Sequence, residues 1–187
     1  LHKIGYTSIF CPKFYSPCLD IHPNYGPDGC TIFYKLSKFQ LINVTCEKIF
    51  TDSEINAQTF IIMCLKHWHT GALLTIVCVH LKAKVPNHEK RSKQINEILK
   101  TIIQHLYAVD KDINKHALLV CGDFNGEPFE QFYDLIIKVN ELGLRDAYSI
   151  VPNGGAKEPT TIKYKGEGGS LLRRAIDYVF FTERTLR

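Results

Sequence analysis

Val120-Cys121-Gly122-Asp123-Phe124-Asn125 is the stretch on which the fold of this chain turns. An apolar run, Ala117-Leu118-Leu119-Val120-Cys121, ends at a glycine and delivers an acid and an amide two positions apart. Alternation along a strand would place Asp123 and Asn125 on one face and Phe124 on the other. A carboxylate can align and deprotonate a water, and an amide can donate to a phosphate oxygen without adding charge. The segment therefore reads as a phosphate-cleaving corner. Gly-Asp and Asn-Gly are also ordinary turn punctuation, so a plain loop accounts for the same letters. Its surroundings have to separate the two readings.

Upstream, the hydrophobic period changes twice. Phe39 to Phe50 alternates apolar and polar residues, as a half-buried strand does. Thr59–Leu65 and Leu73–Val79 are apolar strands joined by a hairpin loop, Lys66-His67-Trp68-His69-Thr70-Gly71, and Thr31–Lys35 is a shorter strand. Between Asn87 and Tyr107, Ile95, Ile98, Leu99, Ile102, Ile103 and Leu106 recur every three or four residues and predict one helix, with Pro86-Asn87 as its cap. Downstream, Phe132, Leu135, Ile136 and Val139 predict a second helix over about 129–142, stopped by Gly143. Glu127-Pro128 reads as its start. Residues 11–29, rich in Pro, Tyr and Asp, and the Gly-rich stretch 153–170 read as loops, and Ala175–Phe181 as a last strand. Strand pairs alternating with helices indicate an α/β domain whose sheet is partly antiparallel.

Composition bounds what such a domain can be. The 187 residues are 45% hydrophobic and 22% charged, the proportions of a soluble globular chain with one core. A net charge of +4, from 23 basic and 19 acidic residues, is too small for a protein that coats nucleic acid, although it leaves room for a local basic patch. No apolar run approaches the ~20 residues of a membrane span. The seven cysteines, at 11, 18, 30, 46, 64, 78 and 121, are odd in number and include no Cys-x-x-Cys pair, which favours buried free thiols over a zinc site. Cys11 and Cys18 flank a short loop where a redox role is the alternative. The compartment expected is the cytoplasm, or the mitochondrion if a targeting segment lies upstream. Leu1 is not an initiator Met, so the chain reads as starting inside a longer one.

Three further groups carry chemistry. His80-Leu81-Lys82-Ala83-Lys84 follows a strand directly and projects imidazole and ammonium from one face, a pairing suited to an anion. A solvated strand edge is the plain alternative. Asp177, between Ile176 and Tyr178, is an acid in an apolar strand that needs a partner, either an ion pair to Arg173 or Arg174 or a catalytic imidazole. No histidine is close to it in sequence, since all eight lie at position 116 or earlier. Lys13-Phe14-Tyr15 combines a cation with aromatic faces and could hold a phosphate while stacking a base, or simply pack. His67, His69, His105 and His116 have no ligand-like spacing.

Four segments in order, Gly29-Cys30-Thr31-Ile32-Phe33-Tyr34, His80-Leu81-Lys82-Ala83, Cys121-Gly122-Asp123-Phe124-Asn125 and Ala175-Ile176-Asp177-Tyr178, make the chain resemble the exonuclease–endonuclease–phosphatase superfamily in its deadenylase-like branch. Residues 12–20, 26–30, 57–59 and the Glu158-Pro159-Thr160-Thr161 loop resemble a group within that branch that removes the 2′-phosphate of NADP⁺ and NADPH. Other members trim the poly(A) tails of messenger RNA. The resemblance implies a four-layer α/β/β/α sandwich, Mg²⁺ or Mn²⁺ as cofactor, and in-line attack of an activated water on a phosphate ester. It implies that Asp123 aligns the water and Asn125 holds the phosphate. His80 and Lys82 would bind its oxygens, Lys13, Phe14 and Tyr15 would meet the nucleotide, and Asp177 would orient a general acid–base histidine. Lys84 and Lys165 stand where this branch carries arginine, keeping the charge but not the fork.

The family's metal-binding Glu and its closing Ser-Asp-His string do not occur in these residues. The metal ligands are thus unassigned, and 1–187 reads as part of a catalytic domain that alone would hold metal poorly and turn over little. The expected substrate is NADP(H), with poly(A) RNA as the alternative in the same class. A non-catalytic nucleotide- or RNA-binding protein is the alternative in another.

Overall fold

In the computed structural model, the described residues are 1–50, 57–150, 158–164 and 169–186. The chain runs β1 (Tyr6–Pro12), β2 (Gly29–Lys35), β3 (Phe39–Ile49), β4 (Gln58–His67), β5 (Leu73–His80), α1 (His88–Val109), β6 (Ala117–Asp123), α2 (Gln131–Ile137), β7 (Leu144–Asp146), β8 (Thr161–Tyr164), β9 (Leu171–Arg174) and β10 (Asp177–Thr182). Six strands form one sheet in the order β3-β4-β5-β6-β10-β7, while β1-β2 and β8-β9 are separate hairpins. Within the six-stranded sheet β5 and β6 are parallel and the other pairs antiparallel. This is the mixed α/β domain with a partly antiparallel sheet that the periodicity predicts.

The layers follow from which faces are apolar. Ile95, Ile98 and Ile102 of α1 are fully buried against Phe60, Ile62, Val77, Val79, Leu118 and Val120 of the sheet. Each such side chain contributes about 1.5–3 kcal/mol by leaving water. The opposite face of β4 offers Ile61, Met63 and Leu65 to Cys11, Cys30, Ile32 and Tyr34 of the β1-β2 hairpin. Buried from both sides, β4 reads as one unbroken apolar run. Helices, six-stranded sheet and hairpin thus make three stacked layers. A second helical layer is not among the described residues. Nor is any helix among them long and apolar enough to cross a membrane.

The structure corrects several boundaries. Part of the loop expected over 11–29 is strand: β1 ends at Pro12 and β2 begins at Gly29. The Gly-rich stretch contains β8, which pairs with β9 just after it, and the last strand begins at Asp177 instead of Ala175. The second helix covers only 131–137, because the chain turns at Lys138 and Val139, with Gly143 at φ 58° donating to the Val139 carbonyl. Glu130 occupies the N-cap position of that helix, so Glu127-Pro128 is not its start. Asn87 holds the cap position of α1, but its amide donates back to the Ala83 carbonyl at 2.6 Å instead of capping. All seven cysteines are free; Cys11 is buried on Thr59 while Cys18 is exposed, so the two form no pair.

Two buried histidines give the core a pH dependence. His105 Nδ1 meets Thr45 Oγ1 at 3.0 Å and His116 Nδ1 meets Thr75 Oγ1 at 3.3 Å, while both Nε2 atoms are buried without a hydrogen-bond partner. Burial holds both imidazoles below their ordinary pKa, and the neighbouring His116 adds to the effect on His105. The unfolded chain therefore binds more protons below about pH 6.5, so stability is full above that pH and falls as pH drops through it. Urea midpoints measured between pH 7.5 and 5 should decrease, and a His105→Gln/His116→Gln double variant should flatten that slope. An unchanged slope would place the acid sensitivity elsewhere.

Candidate active site

Parallel pairing sets the site. Register matches Cys78 with Cys121, Val79 with Gly122 and His80 with Asp123, so both strands leave the sheet at one end with imidazole and carboxylate side by side. On the other side of β6, antiparallel β10 places Asp177 opposite Asp123. Three residues far apart in sequence thus occupy neighbouring strands at one rung, about 4.8 Å apart. His80 Nε2 lies 3.9 Å from Asp123 Oδ2. Burial, and then the Lys13 ammonium, push the His80 pKa down against the pull of Asp123, Asp28 and Asp177. Burial pushes the Asp123 carboxyl up, opposed by the Asn125 N–H and the His80 and Lys163 charges.

The opening motif forms a turn at the edge of the candidate site. The strand ends at Asp123, and Asn125 does not continue its alternation but sits at φ 52°. Its backbone N–H donates to Asp123 Oδ1 at 2.8 Å, closing a local loop that tolerates the left-handed conformation. Its Nδ2 donates to the Leu81 carbonyl at 3.0 Å, which also accepts Gln58 Nε2 at 3.1 Å. Phe124 points the other way into the core, 0% exposed, against Phe132, Tyr178 and Phe180.

Beside this rung lies a cavity of about 330 Å³ lined by Lys13, Tyr15, Gln58, His80, Lys82 and Lys84, among others. Five of these six are residues the sequence put forward. Lys13 is not a bare cation: its Nζ lies 2.5 Å from Asp28 Oδ2, and Ser16 Oγ donates to the other oxygen at 2.6 Å. Burial pushes the Asp28 carboxyl up, but these bonds outweigh it and hold it below the usual range. Tyr15 donates to Asp20 at 2.9 Å. Phe14 departs from expectation: it is 58% exposed, lies outside this lining, and has the Lys48 ammonium 4.3 Å above its ring. Lys165 falls outside the described residues.

Near Asp177, Arg174 makes its ion pair with a different carboxylate. Arg174 Nε bonds Glu127 Oε1 at 2.8 Å, and Thr160 Oγ1 accepts the Asp177 backbone N–H at 3.0 Å. Asp28, Thr160 and Arg91 were not visible as site residues in the sequence. Arg91 is fully buried and reaches the Lys82 and Lys84 carbonyls. A signal for it existed: position 91 lies on the 95-98-102 stripe, where a charge must be buried. Among the described residues, no group of three or more His, Cys, Asp or Glu side chains is placed to hold a metal ion. These residues alone do not fit Mg²⁺ or Mn²⁺, and no chemical step is assigned to a metal.

No family model matches the chain. Rat nocturnin is 34% identical over 186 residues, covering 100% of this chain and 42% of its own length. The Ccr4 3′-5′-exoribonuclease subunit of the CCR4-Not complex from Candida glabrata is 27% identical over 154 residues, 72% of this chain and 18% of the relative. The human nocturnin catalytic domain, solved with a bound sulfate anion, superposes with a TM-score of 0.80 at 31% identity over 97% of this chain and 62% of that one. The chain spans less than half the length of the nocturnin relatives it matches. By sequence along its whole length and by fold, it belongs to the exonuclease–endonuclease–phosphatase superfamily, on the nocturnin-like branch.

Proposed function

We propose that the protein hydrolyses a phosphate ester of a nucleotide, the 2′-phosphate of NADP⁺ or NADPH. The observation that carries this reading is the His80–Asp123 register beside a cavity walled by Lys13, Lys82 and Lys84. Cations with a carboxylate at their edge fit a phosphate attacked by water, and the sulfate held by the human relative has the same tetrahedral shape and charge type. Water attacks phosphorus, the bond to the ribose oxygen breaks, and the products are the free hydroxyl and inorganic phosphate. Asp123 takes the proton from the water, a role favoured by a carboxyl moved toward neutrality. The lysines and the neutral His80 imidazole donate to the phosphate oxygens as charge builds on them. Mg²⁺ or Mn²⁺ is the expected cofactor, with ligands beyond those assigned here. Asp177, across the rung, would orient a general acid–base imidazole.

The exoribonuclease relative favours a second reading, removal of nucleotides from the 3′ end of poly(A) RNA. Against it stands the net charge of +4, since a long RNA track calls for many phosphate contacts. Full-length protein with Mg²⁺ should release inorganic phosphate from NADPH and leave an oligo(A) ladder intact. Lys82→Ala should raise KM by about 10–100-fold, the loss of one charge-assisted bond. Shortening of oligo(A) without phosphate release would select the exonuclease. Tight nucleotide binding without turnover of either would make this a binding protein.

A further inference from the structure

Behind the Lys82–Lys84 loop runs a line of alternating charge. Arg91, on the first turn of α1, is 0% exposed, and its Nη1 donates to the Lys82 carbonyl at 3.0 Å and the Lys84 carbonyl at 2.9 Å. Its Nε and Nη2 donate to Glu130 Oε2 at 2.8 and 2.6 Å. The other oxygen of Glu130 accepts the Glu127 backbone N–H at 3.2 Å, and the Glu127 side chain accepts Arg174 Nε at 2.8 Å. One connected network therefore joins the lysine loop, the segment after Asn125 and the end of β9, three residues before Asp177.

We propose that Arg91 is a positioning residue: with Glu130 it fixes the Lys82–Lys84 loop against the Asp123–Asn125 turn and thereby sets the affinity of the cavity for phosphate. This role rests on the phosphate reading of the site. Three observations favour it over a purely structural one. A buried ion pair is weak evidence for stability, because apolar packing of the same volume often serves as well. Here Nη1 bonds both carbonyls of the residues that carry the cavity's cations while the Nε/Nη2 fork holds Glu130, and Gln94 of the same helix accepts the Lys82 N–H at 3.0 Å, so α1 holds Lys82 by both its N–H and its carbonyl. Lys84 is held at φ 78°, a conformation lysine rarely adopts, and the Arg91 bond to its carbonyl sits at that point. Gly126 completes the arrangement, since a Cβ there would lie 2.9 Å from Arg91 Nε and 2.8 Å from Glu130 Oε2.

The test uses full-length protein, NADP⁺ as substrate and inorganic phosphate as competitor. Arg91→Lys keeps the charge but cannot span two carbonyls and a carboxylate. It should raise KM and the phosphate inhibition constant together by about tenfold or more, with kcat within about threefold, because misplacing a binding group costs affinity steeply. Hydrogen exchange at residues 82–84 should quicken in parallel. A folded Arg91→Lys protein with unchanged KM and phosphate inhibition overturns the proposal, as does a kcat that falls only in step with the folded fraction. If Arg91→Lys does not fold, Gln94→Leu frees the Lys82 N–H alone and should still raise KM by about threefold; no change in KM overturns the proposal. A wild type that neither releases nor binds phosphate would instead sink the phosphate reading, and the exchange data would show whether the tie to the loop still holds.

Discussion

Asp123→Asn should lower kcat of the full-length protein by about 10³-fold or more while the protein stays folded, within the range expected when a positioned base is lost. Asn has the shape of Asp and keeps an oxygen for the Asn125 N–H, so the turn that closes on position 123 survives. The charge does not survive, and with it goes the acceptor for the proton of the attacking water. Burial raises the carboxyl of Asp123, so its ionised form is disfavoured in the folded protein. The variant should therefore melt at the same temperature as the wild type or slightly above it at pH 7, the usual relation between a strained active site and stability. The same shift has a sign in the wild type. With Asp123 as the proposed base, activity should be lost as falling pH protonates it, and because the pKa is raised this loss should begin at a higher pH than for an ordinary aspartate. A pH profile of kcat/KM would place that limb, and an Asp123→Asn protein whose kcat stays within about tenfold of wild type would remove Asp123 from the chemistry.

Gly122→Ala should be severely damaging for the addition of a single methyl. Gly122 lies at φ 143°, and a Cβ built on it would stand 2.0 Å from the Val79 carbonyl oxygen and 2.9 Å from its carbon. Both are backbone atoms of the neighbouring parallel strand, so no side chain can swing aside; β5 and β6 would have to part where they deliver His80 and Asp123. A cost of about 4 kcal/mol or more is expected, in the exceptional range for one substitution. Gly71→Ala is the control. It also has positive φ, at 69°, but only Lys66 Cε lies within 4 Å, at 3.7 Å, so its cost is the backbone strain alone, about 1 kcal/mol. Chemical denaturation of the two variants should separate them clearly, and equal midpoints would refute the close-approach argument.

What the sequence disclosed depended on how much period each element carries. α1 and the β4-β5 pair are long, and their apolar residues repeat at the spacing of their own geometry. β7, β8 and β9 are three or four residues each, too short to complete an alternation. The second helix was over-extended because Val139 and Leu142, in the turn after it, keep the helical spacing that Phe132 and Leu135 begin. In the site, residue types were legible and partners were not. His80, Asp123 and Asp177 stand out as polar residues at strand ends, but their shared rung is a property of strand order. Asp28 and Thr160 serve by bonding to Lys13 and to the Asp177 backbone, relations that no local pattern encodes. Arg91 is hard to read because charge suggests solvent, although its helical face is buried.

The parallel contact between β5 and β6 also orders events in time. β3, β4 and β5 are sequential antiparallel neighbours close in sequence, whereas β6 reaches β5 only across residues 81–116, the crossover that contains α1. Non-local pairing of this kind lags behind local pairing in folding. The lone tryptophan of these 187 residues, Trp68, sits at the β4-β5 turn with its indole N–H on the Leu36 carbonyl, at the opposite end of β5 from His80. Its fluorescence therefore watches the β3-β4-β5 meander and not the crossover that sets Asp123 beside His80.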